Sequence, residues 1–409
     1  MNLHSIASLH PATGMVLVIM TMPFQSVISI NLFSLSMTLT ELATVFALFW
    51  MLAYRKGIPL RITVHALPAI LVIGYLTLNA GWASDSVSAL KELFKWLQVF
   101  IVAFVVADLA RTYRDIKPMA IAAALVLLLE ATLGGVQAMF GIGPDSFRVG
   151  PIIRAYGTFE QPNPYGGFLA LHIPVALLAV WVLKGGHRVS AALILFASIL
   201  ALTLSLSRGA FLAAIVGSII VAGLISRKFR MGAVVSLLLA SVTLSILFAY
   251  VDLNLNRLLA VFVADLYEVF NSITPENYAV NQRLAFWAAA LSMVVDNPIS
   301  GVGLGGFVTH YPEYASYLWQ EPLGHAHNIY LNLLAETGLI GLLLFVGFAL
   351  HLCGLGLFNN RNWISLAGLG AFSVYLTHGV VDNIMVGGIG VYIGASMGFL
   401  LHPVLAVDI

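Results

Sequence analysis

Residues 189–226, VSAALILFASILALTLSLSRGAFLAAIVGSIIVAGLIS, decide the fold. In this stretch Arg208 is the sole charged residue. One bilayer crossing takes about 20 mainly apolar residues. The run is long enough for two, and Arg208 then sits at the hairpin between them. The flanking sequence repeats the pattern throughout the chain.

Of the 409 residues, 60% are hydrophobic and only 9% are charged. Soluble domains carry about 25% charged residues. This much apolar side chain cannot be buried in one water-soluble core, so lipid is the expected solvent. A net charge of +1 says nothing useful about partners, and no basic run or basic-plus-aromatic pattern suggests nucleic acid, so no nucleic-acid partner is expected. The single cysteine, Cys353, excludes an internal disulfide framework and a Cys-rich metal site. The start MNLHSIASLHPATG has no Lys or Arg before its first apolar run, so that segment is expected to stay as a membrane helix.

Apolar runs fall at 11–31, 36–54, 65–82, 93–110, 118–140, 165–183, 189–206, 209–226, 231–251, 327–352, 362–381 and 384–403. They predict an all-α, polytopic membrane protein with about twelve spans, forming one integral membrane domain over 1–409. Lys and Arg collect in loops 55–61, 111–117 and 227–230, at Lys184 and Arg188, and at Arg361. These loops alternate along the chain, so they share one side, which the positive-inside rule makes cytoplasmic. Both termini are then cytoplasmic.

Two longer loops face the other side, at 141–164 and 252–326. The second lies between the ninth and tenth spans and is expected to be partly helical. Its stretch 257–270 is amphipathic enough to lie along the interface. RLAFWAAALSMVV (283–295) reads as a helix stopped by Asp296, Asn297 and Pro298. GVGLGGF (301–307) reads as a tight turn, because no βαβ unit surrounds it and its spacing is not a dinucleotide fingerprint.

Polar groups converge on this outer face. Arg208 lies at its hairpin, and Arg283 opens a helix in the large loop. His327 and Asn328 open the tenth span, and Asp382 closes the eleventh. Arg148, Arg154, Glu160, Gln161 and Asn163 occupy the first loop. Each has a plainer reading. Arginines at helix ends snorkel to headgroups. Asn328, Asn332 and Glu336 form one stripe that fits hydrogen bonding to a neighbouring helix. Gly338 and Gly341 fit close helix packing, and Asp382 fits a turn cap or a pair with His378. His325 and His327 lack nearby Cys or acidic partners at ligand spacing, so no metal site is expected. Glu130, mid-span, is the one residue placed like a transporter's.

The combination points to chemistry. Arginine's planar fork suits phosphate oxygens, and a histidine accepts a proton near neutral pH. Together they fit attack by a hydroxyl with loss of a phosphorylated leaving group. Cationic side chains then do the work of a divalent ion, and no paired-carboxylate metal motif is present.

HNIYLNLLAETGLIG (327–341) resembles the His-Asn, nine residues, Gly-x-x-Gly signature of the O-antigen ligase and polymerase superfamily, which includes bacterial protein O-oligosaccharyltransferases. SRGAF around Arg208, RLAFW around Arg283, DNPISGVGLGGF (296–307) and GTFEQPNPYGG (157–167) resemble its other blocks in order. The resemblance spans roughly residues 140 to 385. It implies an inverting glycosyltransferase at the periplasmic face of the bacterial inner membrane, needing no cofactor. Its donor would be an undecaprenyl-pyrophosphate-linked glycan. Its acceptor would be the lipid A-core in a ligase, another lipid-linked repeat in a polymerase, or a protein hydroxyl. By the resemblance His327 is the catalytic base, Arg208 and Arg283 hold the pyrophosphate, and Asp382 lies near the site. Asn328, His325, Arg154, Glu160 and Asn163 are expected to support it. A transporter or flippase ranks below, because most charges sit at one face rather than at midplane.

Overall fold

The computed structural model describes residues 10–25, 29–32, 35–54, 64–109, 113–225, 278–386 and 388–402. These residues are mostly helical. The helices are α1 (Thr13–Thr21), α2 (Leu39–Tyr54), α3 (Leu67–Ala80), α4 (Ser86–Leu109), α5 (Tyr113–Phe140), α6 (Pro162–Val182), α7 (Gly185–Ser205), α8 (Arg208–Ile225), α9 (Tyr278–Asp296), α10 (Phe307–Tyr314), α11 (Ile329–Phe358), α12 (Trp363–His378) and α13 (Ile389–Leu401). Two short antiparallel hairpins qualify the all-α expectation: β1 (Ser29–Leu32) with β2 (Leu35–Thr38), and β3 (Arg148–Val149) with β4 (Ile152–Ile153).

Among the described residues, five helices are long and apolar enough to cross a membrane: α5, α6, α7, α8 and α11. Helices α1, α2, α3 and α13 are apolar but shorter. The described residues therefore fit a multi-pass membrane protein. The expected span 231–251, the amphipathic stretch 257–270 and the basic loops 55–61 and 227–230 lie outside the described residues.

Small residues set the tightest helix contact. Gly390, Gly394 and Gly398 recur every four residues along α13 and face α4. A Cβ at Gly398 would stand 2.6 Å from the carbonyl oxygen of Ala103. In lipid, where burial of apolar surface does not drive helices together, such close backbone approach supplies the packing energy. A second group packs α6 against α7, α8 and α12, with α12 also on α13. α11 lies against α3 and α9.

The expected helix at 283–295 is α9, and it does end at Asp296. The glycine-rich turn is also present, with Gly301, Gly303 and Gly305 all at positive φ. The role expected for Gly338 needs correction. It does not smooth a helix–helix seam; it breaks α11, at φ +66° and ψ −170°. The break frees backbone groups, and the turn after α9 satisfies them. Val302 and Gly303 N–H donate to the carbonyls of Ala335 and Glu336, each at 2.9 Å, and Leu339 N–H donates to Pro298 at 2.9 Å. A Cβ on Gly338 would collide with the backbone of Ile299, so only glycine fits. This zipper docks the segment 297–306 onto the helix that begins at the histidine pair.

Candidate active site

His327 lies one residue before the N-cap of α11. Asn328 is that cap: its Oδ1 accepts from the N–H groups of Tyr330 at 2.9 Å and Leu331 at 3.0 Å. Asn332, one turn on, accepts from Ala326 N–H at 3.0 Å, and Glu336 accepts from Phe307 N–H at 3.3 Å. The polar stripe of α11 thus anchors the loop before the histidine through Asn332 and the start of α10 through Glu336. Ile329 N–H reaches the carbonyl of Gly379 at 2.8 Å, which ties this turn to the end of α12.

Held this way, His327 takes φ +49°. Non-glycine residues rarely adopt this left-handed region, which costs about 1 kcal/mol or more and is found at functional sites. The second non-glycine residue with positive φ among those described is Leu206, at +52°. It reverses the chain between α7 and α8 and so presents Arg208 as the first residue of α8. The His327 ring stacks on Phe286 of α9, with centroids 5.6 Å apart and planes 24° apart. On its other flank the His325 ring stands edge-on at 4.5 Å.

Asp382, past the end of α12, meets His327. Its Oδ1 lies 2.8 Å from His327 Nδ1 and also accepts Asn383 N–H at 2.9 Å. Its Oδ2 accepts from Asn163 Nδ2 at 3.3 Å and lies 3.9 Å from an Nη of Arg283. Burial alone would raise this carboxyl. The hydrogen bond and charge of His327, with the charges of His325 and Arg283, outweigh burial and hold it well below the usual carboxylate range. The group is therefore a carboxylate and can only accept. His327 Nδ1 must then carry a proton, which leaves the lone pair on Nε2.

Arg154 is closely engaged. Its Nε donates to the carbonyl of Ser205, the last residue of α7, and an Nη donates to Asn163 Oδ1, both at 2.8 Å. Burial, then the charges of Arg283 and Arg208, bring it down to about 10, so it stays cationic at neutral pH. Arg283 thus stands beside the His327–Asp382 pair, and its charge and that of Arg208 reach Arg154, so positive charge collects in this region.

Among the other expected site residues, His325 Nδ1 accepts His327 N–H at 3.1 Å. Burial and the neighbouring His327 bring His325 down to about 4, so it is neutral at neutral pH. Glu160 is exposed and stands outside the network. Glu130 accepts from the Thr158 N–H at 2.9 Å and hydroxyl at 2.5 Å, and so pins the loop that follows α5 to that helix. Asp382 caps no turn with His378; its side chain serves His327. Sequence reasoning missed the stacking role of Phe286, although the RLAFW block containing it was legible.

His325, His327 and Asp382 place one potential ligand atom each within 4.8 Å of one another. The acidic partner that sequence spacing did not supply comes from 55 residues downstream. However, both Nδ1 atoms and Asp382 Oδ1 are already joined in the hydrogen bonds above, and Arg283 adds positive charge beside the carboxylate. An ion held through those same atoms would displace that arrangement, which fits a carboxylate orienting a base.

Comparison with curated proteins found no match. A family model does match, over residues 192–346, which include Arg208, Arg283 and His327 but stop short of Asp382. That family is described as O-antigen ligase (Wzy_C), and the match supports placing the chain in the O-antigen ligase superfamily.

Proposed function

We propose that the protein is an inverting, metal-independent glycosyltransferase. It moves an undecaprenyl-pyrophosphate-linked O-antigen glycan onto the lipid A-core of lipopolysaccharide. The observation that carries this reading is the 2.8 Å contact of His327 with Asp382, set beside Arg283, whose charge together with that of Arg208 also reaches Arg154. His327 Nε2 takes the proton of the acceptor hydroxyl, and Asp382 stabilises the imidazolium that forms. The acceptor oxygen bonds to the anomeric carbon as the bond from that carbon to the pyrophosphate oxygen breaks. The leaving undecaprenyl pyrophosphate takes the electron pair, and Arg208 and Arg283 stabilise its charge. Attack opposite the leaving group inverts the anomeric centre.

In this reading the site faces the periplasm from the bacterial inner membrane, both termini are cytoplasmic, and residues 252–326 form an insertion over one membrane domain. The reading is tested with purified protein in lipid vesicles, supplied with undecaprenyl-pyrophosphate glycan and one acceptor at a time. Transfer to lipid A-core is expected. Transfer only to a second lipid-linked repeat makes the protein a polymerase, and transfer only to a peptide hydroxyl makes it a protein O-oligosaccharyltransferase. No transfer to any of these contradicts the reading.

A further inference from the structure

We propose that Asn163, itself oriented by Arg154, is a positioning residue that fixes the Asp382 carboxylate against His327. The inference rests on the reading of His327 as the base. An unbroken chain of contacts supports it, from the Ser205 carbonyl through Arg154 and Asn163 to Asp382 and His327. The chain joins the end of α7, the first outer loop, the first turn of α6 and the segment after α12. No two of its side chains are sequence neighbours, so it is the fold that assembles them.

The chemistry explains the residue types. A guanidinium only donates and a carboxylate only accepts. One short side chain that bridges them must accept on one side and donate on the other, which a primary amide does. Arg154 therefore sets the amide orientation, with Oδ1 towards Arg154 and Nδ2 towards Asp382, and leaves no ambiguity between its O and N atoms. An aspartate at 163 would still accept from Arg154 but would place a second negative charge on Asp382. Arg154 in turn is locked by the last carbonyl of α7, an acceptor left unsatisfied by the helix itself. The bond from Asn163 restrains Asp382 Oδ2 while Oδ1 engages the base. Rotation of the carboxylate away from His327 then breaks a bond.

The test is a kinetic double-mutant cycle on the full-length protein in vesicles, with lipid-linked glycan and the acceptor found active. Asn163→Ala is expected to lower kcat about ten- to hundredfold, the range for losing a hydrogen bond to a charged group, while the donor KM changes less than about twofold. Asn163→Gln keeps both functions of the amide and should recover part of the rate, whereas Asn163→Asp should not. In an Asp382→Asn background, Asn163→Ala should add less than about twofold, because its target is gone. Thermal unfolding of each variant separates loss of fold from loss of positioning. Independent, multiplicative effects of the Asn163 and Asp382 changes would overturn the inference. So would a raised donor KM in Arg154→Lys at unchanged kcat, which would make Arg154 a donor ligand. If Asp382→Asn alone has no effect, the underlying assignment of the base and its partner fails instead.

Discussion

Asp382 holds Nδ1 of His327 at 2.8 Å across 55 residues of sequence, and its own carboxyl is kept ionised by that contact despite burial. The bond fixes which ring nitrogen is protonated and leaves Nε2 to act on substrate. Asp382→Asn preserves size but removes the charge that stabilises the imidazolium. Its kcat is expected to fall about 10²- to 10⁴-fold, the span of general acid–base contributions. A steady-state assay checks this, and a change within twofold would reduce Asp382 to a turn residue.

Arg208 opens α8 and Arg283 lies on α9, and the proposed function assigns both to the pyrophosphate. Lysine keeps their charge but not the planar fork that holds two phosphate oxygens at once. Arg208→Lys and Arg283→Lys should each lower kcat/KM for the lipid-linked donor by about tenfold or more. Wild-type turnover in both would leave these arginines as headgroup contacts.

His325 links the site to pH. Its unfolded form binds a proton below about pH 6.5, while the buried native ring does so only near 4. Between those values the unfolded chain holds more protons, so stability rises with pH and is lost as pH falls. Asp382 acts at lower pH: its depressed carboxyl contributes stability above the unfolded value near 3.9, and this fades as pH falls through the native value. The thermal midpoint of the protein in detergent should therefore drop from pH 6.5 towards 4, with a shallower slope in His325→Gln. Equal slopes would contradict this account of His325.

The nearness of His325, His327 and Asp382 makes the metal question experimental. With their atoms hydrogen-bonded to one another, transfer should be unchanged by EDTA. Activity lost to the chelator and restored by a divalent ion would assign the cluster to a cation.

Much of this site is legible in the chain itself. The spacing of His327, Asn328, Gly338 and Gly341, and the arginines at apolar-run boundaries, are local features that hydropathy and spacing read directly. The partnership of His327 with Asp382 is not local, because a hydrogen bond between distant segments has no period. The same holds for the inward turn of Arg154, which a sequence shows only as a loop cation. Gly338 reads as a packing residue because nothing nearby reveals that the turn after α9 docks there. Backbone strain at His327 is likewise invisible, since its φ of +49° is set by the packing of the folded chain. Among the described residues five helices are long and apolar enough to cross, and shorter apolar helices such as α3 and α13 lie within further apolar runs.

The most direct measurement is glycan transfer by His327→Ala, compared with the parent protein in the same vesicles and with matched thermal unfolding. The account predicts a folded variant whose transfer is lost, with kcat down about 10²-fold or more. Full turnover in a folded His327→Ala protein would contradict it.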